Sequence, residues 1–329
     1  MSAFNTPVPS AIWVLSALAL AVALFLPFVL PPFHLRLAQQ ILLFGGMAVG
    51  WSLLGGFTNY WSFGHTAFFG LGAFAAGLLA QQLDPSLAVA VRLLIGLVFA
   101  VALALMAAVA IAIPVLKLRG IYFAIAMLAF AEILGEITKT FDAFHGTTGF
   151  PLPALAMPGL TKVQLFYFLF LLLFLVNIAV FVWLRGSRIG MGLTCVGQDE
   201  DTASMMGIPT EQYKLVAFVL SAVLAAVGGV LYGFSLGFIS TGSVFRIDIS
   251  LNLILYSMLG GIGTVLGPVI GAAIMIVLTQ VLLGDLLDLH MALTGAVLIA
   301  MVILAPKGLI GLMQKVWTRR QPAMEEVRS

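Results

Sequence analysis

Apolar residues run along this chain in stretches long enough to cross a bilayer, separated by short polar breaks. Ten stretches are predicted as membrane helices, at roughly 11–32, 37–56, 60–82, 92–116, 120–141, 163–185, 213–235, 250–262, 264–284 and 290–306. The eighth and ninth share one run, "SLNLILYSMLGGIGTVLGPVIGAAIMIVLTQVLL", which is too long for a single crossing. Gly260, Gly261, Gly263, Gly267 and Pro268 interrupt it, so two shorter elements around a glycine turn are expected.

The expected fold is an all-α polytopic membrane protein, residues 1–329 forming one transmembrane domain. A first helix at 11–32 precedes repeat-like halves at about 37–141 and 213–306, with a loop at about 186–212 and a tail at 307–329. The repeat is weak. "GGFTNYWSFGHTAFFGLGAF" (Gly55 to Phe74, with Gly64 inside it) and "GGIGTVLGPVIGAAI" (Gly260 to Ile274) share a double glycine and a later Gly-Ala. Paired glycine interruptions of this kind mark broken helices at a transport site, or else let helices pack closely.

Composition strengthens the membrane assignment. The chain is 62% hydrophobic and only 9% charged, far from the balance of soluble domains. The first 32 residues lack a basic leader region and carry a run longer than a signal core, which reads as a retained helix. Lys and Arg set the orientation. With ten spans, one side receives ten of them, including Lys117, Arg119, Arg185, Arg188 and Lys214, and the other side five. The richer side is cytoplasmic by the positive-inside rule, which puts both termini and the loop at 186–212 there.

Several chemistries are excluded. No phosphate-binding loop, H-E-x-x-H or nucleophile elbow occurs, and the basic residues are too scattered for nucleic acid. Cys195 is the only cysteine, and the four histidines lack metal-ligand spacing, so no metal site and no catalytic residues are expected. A chain of this kind moves something rather than converting it.

One stretch departs from the oily background. In "CVGQDEDTASMMGIP", Asp199, Glu200 and Asp201 stand together near the middle of the chain. Read as a helix, it carries its acids in the first turn, where the helix dipole favours them. Met205, Met206 and Ile208 then form an apolar patch, and Gly207 with Pro209 ends the element. A short amphipathic helix suits docking into a partner's groove, whereas a solvated loop would use the same charges merely to stay out of the bilayer.

Asp201, Ala203 and Gly207 are spaced as in the E-A-A-x-x-x-G coupling loop that ABC importer permeases carry, which this segment resembles. The run from Gly207 to Ser240 is similar to the LivM-type permeases of branched-chain amino acid importers. So are "GHTAFFGLGAFAAGLL", "LKLRGIYFAIAMLAFAEI", "HGTTGF" and "YSMLGGIGTVLGPVIGAAI". The matches keep the family's order from about Gly45 to Pro306. Two departures stand out: Thr194 and Gly197 where family members commonly carry arginines, and Thr147-Thr148-Gly149 where T-G-G is usual. The resemblance implies a multi-pass subunit of the bacterial inner membrane, paired with a homologous LivH-type permease. Two cytoplasmic ATPases and a periplasmic or extracellular binding protein would complete the importer. ATP and magnesium would belong to the ATPases, with no cofactor in this chain. Asp199, Glu200, Asp201, Ala203, Met205, Met206 and Gly207 would then contact an ATPase, the small residues allowing close approach. Urea or a short amide is the nearest alternative cargo. A self-sufficient channel or secondary carrier would need no coupling loop, and the glycine-broken repeat argues against a silent scaffold.

Candidates for the route are few. Glu132 and Glu136 lie one turn apart on the fifth segment, with Glu132 about 18 Å from its cytoplasmic start. A carboxylate at that depth faces a partner or water, or cements helices as a hydrogen-bonded group, and Glu136 can reach Lys139. His65 follows the first glycine break and Tyr122 starts the fifth segment, the former as a contact or a structural histidine, the latter as a contact or an interfacial anchor.

Overall fold

The computed structural model describes residues 10–282 apart from 142, 143, 146, 147 and 156, together with 295. Helices dominate: α1 (Ser10–Val29), α2 (Pro32–Thr58), α3 (His65–Gln82), α4 (Val89–Val115), α5 (Ile121–Thr140), α6 (Lys162–Gly186), α7 (Arg188–Gln198), α8 (Glu200–Met205), α9 (Thr210–Leu236), α10 (Thr241–Val244), α11 (Ile247–Gly260) and α12 (Gly267–Val277), the last running into a π-helical turn, Leu278–Leu282. Two short strands, β1 (Phe150–Pro151) and β2 (Phe238–Ile239), pair antiparallel at the end of the fold opposite α8. By length and composition, six spans among the described residues can cross a membrane: α2, α4, α5, α6, α9 and the stretch Thr241–Gly260. The chain is thus an all-helical polytopic membrane protein.

Its packing is arranged for an apolar solvent. On α4 the buried stripe is Gly96, Ala100, Ala104, Ala108 and Ala112, while Leu94, Val98, Met106 and Ile113 point outward, each more than half exposed. Lipid competes with the interior for large aliphatic side chains, so small residues gain most by bringing backbones together. The same rule governs α3 and α9 at the centre. A Cβ at Gly72 would run into the Ala226 carbonyl, and one at Gly229 into the Phe69 carbonyl. The two backbones therefore touch from both sides.

Both glycine interruptions fall between helices. After α2, residues 59–64 are non-helical and Gly64 caps α3. After α11, which ends at Gly260, the chain turns through Gly261 (φ 127°) and Gly263 (φ 76°) before α12 starts at Gly267 with Pro268. The two regions meet, since a Cβ at Gly56 would lie 3.0 Å from the Gly263 amide nitrogen. Alongside, the Ser52 hydroxyl donates to that of Ser257 at 3.3 Å, and the Ser257 hydroxyl lies 3.2 Å from the Ala48 carbonyl.

Of the ten expected segments, six match described stretches long and apolar enough to cross, whereas 11–32, 60–82 and 264–284 form α1, α3 and α12, which are not among those six. The remaining differences are local. The segment expected at 60–82 starts five residues later, at His65. The loop expected over 186–212 is largely helical, folded into α7 and α8. Apart from Gly295, the last span, 290–306, and the tail, 307–329, lie outside the described residues.

This inside-out packing sets an expectation for mutants. Gly229→Val should lower the melting temperature of the detergent-solubilised chain, overpacking costing about 1–3 kcal/mol or more. Val98→Leu, on the exposed face of α4, should leave it within error. Equal effects of the two substitutions would contradict the packing described.

Candidate functional site

The acidic island folds as α8, and each of its three acids has a separate task. Asp199 is the N-cap and accepts from the Thr202 amide at 2.7 Å. That amide bond holds its carboxyl below the usual carboxylate range. Asp201 faces Arg119 of the α4–α5 linker, with Nη1 to Oδ1 at 2.9 Å. Glu200 turns inward, its side chain 14% exposed, and meets the ammonium of Lys214 at 2.6 Å.

Lys214 is the centre of the arrangement. It stands in the second turn of α9 with 1% of its surface exposed. Its three donors reach Glu200 Oε1 at 2.6 Å, the Tyr60 hydroxyl at 3.1 Å and the Leu116 carbonyl at 3.0 Å. An ammonium has three hydrogens, so none is left over. The Tyr60 hydroxyl in turn donates to Glu200 Oε2 at 2.6 Å, closing a ring, and the ammonium lies 4.7 Å from the centre of the Tyr60 ring. Leu116 caps the end of α4, where carbonyls lack helical partners. One side chain therefore joins α9, α4, the α2–α3 turn and α8. Burial opposes ionisation of Glu200, but hydrogen bonds from Lys214 and Tyr60 and the charges of Lys214 and Arg119 outweigh it. The carboxyl is held below its usual range.

Supporting elements complete the platform. Ser187 caps α7 by accepting from the Gly190 amide at 3.1 Å. Asn59, at φ 58° past the end of α2, donates to the Gly197 carbonyl of α7 at 2.8 Å. After α8 the Gly207 amide bonds to Ser204 and the Ile208 amide to Ala203, a Schellman closure that places Gly207 at φ 82°. Met205 and Met206 are 87% and 74% exposed at the tip.

Two sequence expectations are corrected here. Ala203 is only 2% exposed, so its small size serves packing within the chain rather than a partner's approach. Lys214, counted as a loop cation, is buried and fully bonded. Sequence reasoning also missed the roles of Tyr60, Arg119 and α7. The cations flanking the apolar runs could have been matched to the acids. Ser187 followed by Ile189, Leu193 and Val196 on one face could have signalled α7.

The other candidates are not brought together. Glu132 and Glu136 lie on the exposed face of α5 with Tyr122, which is 70% exposed. Lys139 Nζ reaches Glu136 Oε1 at 2.6 Å. His65 is buried at the start of α3, its Nδ1 3.1 Å from the Ser62 hydroxyl and its Nε2 without a partner among the described residues. No group of three potential metal ligands occurs among the described residues.

Comparison with known proteins gives a consistent answer. Residues 33–302 match the family model for the permease component of branched-chain amino acid transport systems. The high-affinity branched-chain amino acid transport permease LivM of Escherichia coli (strain K12) is 27% identical over 93% of this chain and 76% of that protein. LivM of Salmonella typhimurium is 26% identical over 88% of this chain and 73% of its own length. LivH of the same organism is 31% identical over 42% of this chain and 44% of its own. No solved structure matches.

The buried ring predicts a specific stability pattern. Glu200→Gln should destabilise the chain by about 3 kcal/mol or more, because it strands a buried ammonium. Adding Lys214→Met to it should recover much of the loss. The folded carboxyl titrates below its unfolded value of about 4.3, so its contribution is complete above that pH and lost as pH falls through the folded value. Melting curves from pH 7 to 3 should therefore show acid sensitivity in the parent chain that the double variant lacks.

Proposed function

The chain belongs to the branched-chain amino acid transport permease family, and we propose that it imports branched-chain or related hydrophobic amino acids into the cytoplasm under ATP power. As a permease component it is not itself an enzyme and holds no cofactor. The observation that carries the proposal is the construction of α8. Glu200 and Asp201 tie the helix to α9 and to the α4–α5 linker, while the two methionines at its tip are left outside. A helix fixed on one side and apolar on the other suits a groove in an ATPase, and flexible methionines adapt to such a surface.

On this reading the α8 end and both termini are cytoplasmic, and ten crossings lie in the bacterial inner membrane. The repeat-like halves at about 37–141 and 213–306 form one transmembrane domain, and the tail at 307–329 is cytoplasmic. The partners are a homologous LivH-type permease, two ATPases and a binding protein on the outer side. The exposed face of α5 supports the pairing: Glu132 sits in an apolar span with no covering element among the described residues, a position that calls for a second subunit or a watery route. The last turn of α2, at Gly56, meets the break at Gly263, and the two breaks fit the discontinuous helices of transport proteins.

Met205→Glu with Met206→Glu tests the proposal directly, because neither side chain is buried in the fold. Membrane abundance should be unchanged, while ATPase co-purification and amino acid uptake should fall about tenfold or more. In a parallel variant, Glu132→Gln should cut uptake at normal abundance. Normal co-purification and uptake in the methionine variant would remove α8 from ATPase docking.

A further inference from the structure

At the end of the fold opposite α8 lies a cavity of about 130 Å³ between α2, α9, α10 and the start of α11. Tyr232 stands 18 residues beyond Lys214 on α9, which places the cavity about 27 Å from the buried ammonium along the helix. Two opposite charges line it. Arg246 Nε donates to Asp248 Oδ1 at 2.9 Å and Nη2 to Oδ2 at 2.7 Å. Phe44, Tyr232 and Tyr256 supply aromatic wall, and the Asn252 amide adds a polar group.

We propose that this cavity is a waypoint for a zwitterionic amino acid, with Arg246 taking the α-carboxylate and Asp248 the α-ammonium. The inference rests on the amino acid reading given above. The Arg246–Asp248 pair is about half exposed at 56% and 48%, so opening it costs little in a solvated mouth. The guanidinium offers a carboxylate the same two-pronged seat that Asp248 now fills. A zwitterion then converts one ion pair into two, leaving no charge unmatched. The cavity, equal to about four liquid waters, has room for the carboxylate and ammonium head of an amino acid but not for its whole side chain or for a peptide.

The surroundings favour approach of the carboxylate end. A neighbouring cavity of about 390 Å³ shares Tyr232 and is lined by Arg36 and Lys162, neither of which is ion-paired with a carboxylate among the described residues. Among the described residues, Asp248 is the one acid lining the two cavities. A neutral amide such as urea has no separated charges with which to open the pair.

The test reconstitutes the full-length chain in nanodiscs and titrates it with radiolabelled L-leucine. The competitors are L-leucinamide, which lacks the carboxylate, and 4-methylpentanoate, which lacks the ammonium. Saturable leucine binding should resist both competitors. Arg246→Gln and Asp248→Asn should each weaken it about tenfold, with melting temperatures unchanged. No saturable binding, equal displacement by either analogue, or variants that bind like the parent would overturn the site. ATP-driven leucine uptake by the assembled importer is measured in parallel. Parental uptake that both variants match at limiting leucine keeps the importer reading and removes the site. Variant-sensitive binding without ATP-driven uptake keeps the site and removes the importer reading.

Discussion

The fold's α8 end depends on one buried ammonium. Burying Lys214 is unfavourable unless all three of its protons find acceptors, and each acceptor comes from a different part of the chain. Glu200 belongs to α8, Tyr60 to the turn after α2, and Leu116 to the end of α4. The cost of the charge therefore fixes where those elements meet. Without it, α8 would be six residues of marginal helix, too short to hold its shape alone. With it, the exposed methionines are presented from a rigid base.

Through the membrane the organising constraint is different. Where lipid is the solvent, apolar burial gives little preference between inside and outside, so contact distance decides. The alanine stripe of α4 and the reciprocal contacts of Gly72 and Gly229 follow from this. Large aliphatic side chains face outward. Beside the glycine breaks, the buried Ser52–Ser257 contact joins α2 to α11.

Much of this was legible in the sequence. Long apolar runs placed the helices to within a few residues, and the glycine cluster at 260–267 located the turn between α11 and α12. The acidic first turn and terminal glycine of α8 were legible too, because capping is local chemistry. What escaped was non-local. Nothing in the spacing of Tyr60, Arg119, Glu200 and Lys214 says that they converge, since up to 154 residues separate the bonded groups. The burial of Ala203 was hidden for the same reason: a small residue reads alike whether its neighbour is its own chain or another. Likewise, nothing in the sequence signals that Nε2 of His65 has no partner among the described residues.

The length of α9 has a mechanical consequence. It is a single helix of 27 residues, about 40 Å from end to end, and no proline interrupts it. Lys214 ties one end to three elements by three bonds at once, and the bond to Glu200 is the one that carries a small push on α8 into the helix. A displacement that leaves them intact must tilt the helix as a rod. At that length a tilt of about 4° carries the far end through about 3 Å, the width of a water molecule, beside the wall that Tyr232 shares between two cavities.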